Sequence, residues 1–491
     1  MRFRVTGVGF LVAIAIAVAG CGGGNSGTKA TGASLVRSNV LAFVSVNSDL
    51  GSSQWRQVAN LVRKFPSGNQ LLTQVQTAGS SQGVTYKKDI APALGPEVDF
   101  VVSSVATSGT TASSASFVVM TKPKDEGKLK KLLAKASQTG SKIVTKKVNG
   151  WYVFSTNQAN IDQALKKSGK SLDDEGSFSR AIKALPSNAL IKTYVSGKGL
   201  TNIVKSAAAS TSGLGANSAG ALGNLDFLGL AMSAEKSGFR LVGAAKGGTA
   251  SAVSSSATYT SKLVSQIPSG SLAVLSARGG KNLTNQFTKA LQNPTIGPQL
   301  QQVQTALGVT PQQLLSLLEN EIAFYVRPSG TTLPEFSLLL EEPNGAEALS
   351  TVNTMMTKIA TLTRKPLSPA PGGGKTLKLG KYALTFGGFD SRIILSSALS
   401  AVADAQAGGS KLSDDPTFKS AKAAAGVPDK TGGFLYLNLK DGIPLIEAYQ
   451  ASRGQAVSTS TQANLKPLQS LFAYASSSGG VGKFTLFLQI K

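Results

Sequence analysis

The feature that most constrains this chain is that its two halves repeat one another in order. Ser171-Leu172-Asp173-Asp174-Glu175-Gly176-Ser177-Phe178 corresponds to Lys411-Leu412-Ser413-Asp414-Asp415-Pro416-Thr417-Phe418. After each comes a helix-like stretch, a proline (Pro186, Pro428) and a strand with tyrosine eight positions on (Tyr194, Tyr436). Leu41-Ala42-Phe43-Val44-Ser45 matches Leu272-Ala273-Val274-Leu275-Ser276, and Glu97-Val98-Asp99-Phe100 matches Glu321-Ile322-Ala323-Phe324. The offsets stay between roughly 220 and 240 residues. Ordered self-similarity of this kind reads as an ancient duplication.

Each repeat carries the same predicted elements. An opening strand near Leu41–Val46 leads into an amphipathic helix with Trp55, Val58, Ala59, Val62 and Phe65 on one face. Strands are expected near Val98–Ser104 and Ser116–Thr121, then a lysine-bearing helix whose Leu129, Leu132, Leu133 and Ala136 share a side. A hairpin near Lys142–Val148 and Trp151–Ser155 turns at Asn149-Gly150. Hairpin patterns close the halves at Leu228–Ala245 and Leu471–Ile490. Strands joined by short turns imply α+β architecture: two tandem homologous repeats, each a mostly antiparallel sheet with helices packed on one side. Thr107–Ser114, Ala207–Gly223, Gly247–Ser256 and Pro366–Gly374 read as loops.

The amino end adds an address. Arg2 and Arg4 precede an uncharged run, Val5–Ala19, which suits a signal-peptide core better than a membrane span. The run ends in Val18-Ala19-Gly20-Cys21, similar to a lipobox with valine at its first position, and Cys21 is the only cysteine of 491 residues. The expected segments are a signal peptide 1–20, a lipidated Cys21 with flexible tether 21–35, repeat one 36–246, a linker 247–261 and repeat two 262–491. Acyl chains on Cys21 would hold the protein at the outer face of the cytoplasmic membrane.

Composition narrows the chemistry. Without histidine, and with one cysteine, histidine-based triads, cysteine nucleophiles and the usual zinc and copper sites are excluded. A net charge of +25 points outside the cell to anionic lipid or acidic wall polymer, or simply to solubility. Nucleic acid is set aside because the export signal removes the chain from it. No catalytic, cofactor-binding or metal residues are assigned, and protein partners are not specified.

Candidate motifs each have a plainer reading. Gly372-Gly373-Gly374-Lys375-Thr376 looks like half a phosphate loop, but Pro369 stands where its first glycine belongs and a strand-like Leu377–Phe386 follows. Asp174 and Asp415 fit helix caps better than metal ligands or acid–base groups. Ser-x-x-Lys occurs at Ser26–Lys29, in the tether, and at Ser233–Lys236, at a hairpin turn, whereas catalysis needs a helix. Trp55, Trp151 and Tyr152 fit core packing better than a sugar platform.

The lipobox, the Ala-Phe-Val-Ser-Val strand at Ala42–Val46, the Trp55…Phe65-Pro66 helix and the Leu172-x-Asp-Asp-x-x-x-Phe178 element together resemble a family of bacterial lipoproteins and membrane-anchored proteins, domain of unknown function 3352. The resemblance runs from about Val36 to the end and implies shared fold and descent, with no catalytic residues to transfer. Three functions stay open: a noncatalytic binding or scaffolding lipoprotein of the cell envelope, a carrier of an apolar ligand or lipid in an internal cavity, and a hydrolase using carboxylate or lysine alone.

Overall fold

The computed structural model describes residues 27–77, 84–105, 115–138, 143–201, 225–248, 258–280, 292, 297–330, 333–380 and 382–491. The chain divides into two compact units, Met1–Ser254 with Ser477–Lys491, and Ser255–Ser476.

The first unit contains β1 (Ala42–Asn47), β2 (Glu97–Val105), β3 (Ala115–Thr121), β4 (Val144–Val148), β5 (Trp151–Ser155), β6 (Ile191–Ser196), β7 (Leu225–Glu235), β8 (Gly238–Gly247) and the chain's last strand, β18 (Val481–Ile490). They form one sheet in the order β4-β5-β3-β2-β1-β6-β7-β8-β18, every pairing antiparallel. At the β4–β5 turn Asn149 and Gly150 take φ of 49° and 80°, the left-handed pair a two-residue hairpin needs. Sequence proximity assigns Val481–Ile490 to the second repeat, yet this strand pairs with β8 and belongs to the first unit.

The expectation that helices cover one side of the sheet is not met. Val118 and Met120 of β3 point into a core with Ile161, Phe178 and Ala181, from helices Gln158–Ala164 and Gly176–Ala184. Val119 points the other way, to Leu129 and Leu132 of helix Glu126–Gln138. The reason is visible in β5, where Trp151, Tyr152, Val153 and Phe154 are all buried, so both faces must be dry.

The second unit contains β9 (Ala273–Arg278), β10 (Glu321–Arg327), β11 (Glu335–Glu341), β12 (Leu367–Ala370), β13 (Gly374–Leu379), β14 (Tyr382–Phe389), β15 (Arg392–Ser396), β16 (Phe434–Asn438) and β17 (Leu468–Ser478). Their order is β12-β13-β14-β15-β11-β10-β9-β16-β17, again antiparallel throughout. Leu340 and Ile393 pack against helix Gly345–Thr363, while the neighbouring Leu339 and Ile394 are equally buried, so this sheet is also covered on both faces. In each unit a phenylalanine meets a tyrosine edge-on: Phe178 and Tyr194 at 5.2 Å, Phe418 and Tyr436 at 5.0 Å between ring centres. Such pairs add about 0.5–1.5 kcal/mol beyond burial alone.

Candidate functional site

An apolar concavity of the second unit forms where three strands end together. Leu272 donates its N–H to the Val326 carbonyl at 2.7 Å, and Asn438 donates to the Leu272 carbonyl at 2.7 Å. Beyond this junction the chain turns into helix Leu439–Ser452, whose start is capped by Asn438, the side chain accepting from the Asp441 N–H at 3.2 Å. Between junction and helix lies a groove of about 380 Å3, walled by Leu272, Val326, Leu437, Ile443, Leu445 and Tyr449.

The helix is loosely seated. Pro444 stands inside it, where a proline deletes one helical hydrogen bond and crowds the preceding turn. None of its residues is fully buried, and Leu445, Ile446 and Tyr449 are 39, 59 and 37% exposed. An apolar edge left wet forgoes about 25 cal/mol per Å2, and contiguous exposed apolar surface on a folded domain marks a contact surface. Chemically the groove offers contact to hydrocarbon and almost nothing to a charge; Ser329 and Asn438 are its polar wall residues.

The same junction exists in the first unit. Leu41 donates to Val102 at 2.9 Å and Ser196 donates to Leu41 at 2.9 Å, bordering a cavity of about 540 Å3 with polar walls.

Buried acids lie elsewhere. Glu97, 7% exposed, accepts the N–H groups of Lys29, Ala30 and Thr31 at 2.9, 3.0 and 2.6 Å. Asp99 is wholly buried; burial first, and the Glu97 charge second, push its carboxyl well above the usual range. It pairs across β1 with Ser45, which on its other side pairs with Lys192, itself lowered by burial. Glu321 repeats the role of Glu97, accepting from the N–H groups of Lys262 and Leu263 at 2.7 and 3.2 Å and from Ser276 Oγ at 2.9 Å. These acids fasten the segment preceding each opening strand. In the sequence Glu97 and Glu321 stand out only as matched positions of the two halves; an acid opening a strand in both halves is the signal that points to them.

Cys21 and the lipobox residues Val18, Ala19 and Gly20 lie outside the described residues, as does Ser26. Asp415 sits at the start of helix Pro416–Ala425, accepting from the Thr417 and Phe418 N–H groups at 2.8 and 3.0 Å and from Gly270 N–H at 2.8 Å. Asp174 is not a cap. It accepts from the Ser171 N–H at 2.9 Å, and those bonds with Ser171 hold its carboxyl below the usual range. The residue in the capping place of helix Gly176–Ala184 is Glu175, whose side chain makes no capping bond. The offset is one residue: Asp174 matches Asp414, and Glu175 matches Asp415.

Gly372 and Gly373, with φ of 75° and 74°, form a tight turn that β12 enters and β13 leaves, so a strand does run into this motif, contrary to the loop expected over Pro366–Gly374. Lys375 Nζ donates to Asn353 Oδ1 at 3.1 Å. A turn between two strands lacks the helix a phosphate loop requires. Ser233 is buried in β7 and Lys236 lies in the β7–β8 turn. Trp151 and Tyr152 fill cores on opposite sheet faces, and half-buried Trp55 donates Nε1–H to the Asn47 carbonyl at 2.7 Å. The three aromatics form no common platform. Among the described residues no helix is long and apolar enough to cross a membrane, and no group of three or more acids is placed to hold a metal ion.

Comparison with known proteins places the chain by family. No curated protein is matched by the sequence. Among solved structures, crystal forms III, IV and I of TP0453 align over 46, 45 and 47% of this chain and 79, 76 and 80% of theirs, at 11, 10 and 12% identity with TM-scores of 0.26, 0.23 and 0.25. The profile described as "Protein of unknown function (DUF3352)" matches residues 5–490, and the chain belongs to that family.

Proposed function

We propose that this protein is an exported, lipid-anchored binding protein of the cell envelope, noncatalytic, whose second unit receives an apolar chain in the groove beside helix Leu439–Ser452. The observation that carries the reading is that groove: about 380 Å3, walled by aliphatic side chains and fronted by a helix with no buried residue. Its volume falls in the range of small-molecule sites, and each methylene buried there is worth about 0.8 kcal/mol. The anchor is inferred from Val18-Ala19-Gly20-Cys21. Cys21 would carry the acyl chains, placing the body at the outer face of the cytoplasmic membrane, where a net charge of +25 favours anionic lipid or wall polymer.

We also infer that the units descend from one duplicated ancestor. Support comes from the shared central strand order, the two Phe–Tyr pairs, the Glu97 and Glu321 clasps, and the matching junctions at Leu41 and Leu272.

Two experiments test the reading. Cells expressing the full chain and fed labelled palmitate should label it, and Cys21→Ser should abolish both label and membrane retention; an unlabelled, freely released wild type would overturn the anchor. Purified protein should bind a fluorescent palmitate analogue, and Ala273→Phe, which fills the groove floor, should weaken that binding at least tenfold. Equal binding by the filled variant would remove the groove from the account.

A further inference from the structure

The first unit's strand junction also borders a cavity, with chemistry opposite to that of the second unit's groove. We infer that this cavity is a binding site for a neutral, polyhydroxylated ligand, of the class of a saccharide unit.

Three observations converge. The first is a β-bulge. The β2–β3 register shifts between Val102 and Ser104, leaving Ser103 unpaired on β2 and in the cavity wall. The matching strand of the second unit pairs straight through from Val326 to Arg327 with no bulge. Bulges re-aim side chains, and they are over-represented beside sites. The Ser103 hydroxyl is buried and has no hydrogen-bond partner among the described residues. A buried hydroxyl without a partner is costly, and a ligand oxygen would supply the missing bond.

The second observation is the wall. Hydroxyls come from β2, β6 and the start of helix Gly176–Ala184, with Ser177 Oγ and Tyr194 Oη sharing a hydrogen bond of 2.8 Å. Each hydroxyl both donates and accepts, the pattern that complements an array of ligand hydroxyls. The third is charge. Glu175 and Asp226 line the cavity with Lys198, and Asp226 accepts from the Arg180 guanidinium at 2.7 Å. Two acids against two bases favour no net charge on the ligand, while the carboxylates supply acceptors for paired hydroxyls.

The test is a titration of the purified full-length chain with trehalose and cellobiose, and in parallel with glucuronate and inorganic phosphate, followed by ligand-observed NMR and calorimetry. The neutral disaccharides should bind. Ser103→Ala, which breaks no bond within the described protein, should weaken them about five- to tenfold without lowering the thermal midpoint. Lys198→Ala, at an exposed position, should also weaken them and serves if Ser103→Ala lowers the midpoint. Failure of both disaccharides to bind, stronger binding of glucuronate or phosphate, or wild-type affinity in folded Ser103→Ala and Lys198→Ala proteins would each overturn the inference.

Discussion

The backbone N–H of Thr31 points at Oε1 of Glu97, 2.6 Å away across 66 residues of sequence. One buried carboxylate thus takes several amides of the segment that leads into the first unit. Glu97→Gln would keep the shape, remove the charge and turn a donor toward donors. Breaking a buried charged network of this kind typically costs about 3 kcal/mol. We expect urea unfolding of the variant to be destabilised by that order, with faster hydrogen exchange at the amides of residues 29–31. A change below about 0.5 kcal/mol would mean that the segment is held by other contacts.

Glu342 makes stability depend on pH. Burial first, then the nearby Glu319 and Glu341 charges, raise its carboxyl from 4.5 to about 7, and its Oε1 has no partner among the described residues. The folded state therefore holds a proton that the unfolded chain has released across this interval. Its contribution is fully present below pH 4.5 and is lost as pH rises through about 7. At about 1.4 kcal/mol per unit the loss is on the order of 3–4 kcal/mol. Glu342→Gln cannot titrate, so the difference in urea midpoint between variant and wild type should grow in the variant's favour from pH 4.5 to pH 8. A difference that stays constant over that range would show that Glu342 is ionised in the folded protein.

Local chemistry was the legible part of this fold. Asn149-Gly150 fixed a hairpin because a left-handed pair of residues leaves few alternatives, and the strand at Trp151–Ser155 followed from it. Pairing at long range was not legible. Nothing near Val481–Ile490 announces that its partner is Gly238–Gly247. Pro369 hid β12, since a proline argues against a strand unless the strand lies at a sheet edge, as this one does. The groove was hidden by its own wall: Ile443 and Leu445 look like core residues until the helix that carries them proves to bury none of its own. Glu97 was hidden for the converse reason, because an acid beside apolar neighbours reads as a wet strand end.

The two acidic elements should separate on mutation. Asp415 caps a helix and also accepts from Gly270, so Asp415→Ala should cost about 1–2 kcal/mol, with Asp415→Asn recovering most of it. Asp174 reaches back to Ser171 on an exposed turn, so Asp174→Ala should cost less than Asp415→Ala. Chemical denaturation of the three variants checks the order. Equal costs for the two alanines would restore Asp174 as a cap.

Ile446 is 59% exposed on a helix with no buried residue, so its side chain adds little to the folded state. Ile446→Glu should leave stability within about 0.5 kcal/mol of wild type. The same change sets a charge on the exposed apolar edge beside the groove, where a hydrocarbon chain entering it would have to shed water from a carboxylate. Desolvating that charge without a partner costs far more than one methylene contact returns. We therefore expect the variant to unfold at the wild-type urea concentration and yet bind the fluorescent palmitate analogue several-fold more weakly. A loss of stability comparable to a core substitution would show that the helix is packed more firmly than its exposure implies, and undiminished binding would place the entry to the groove on its other side.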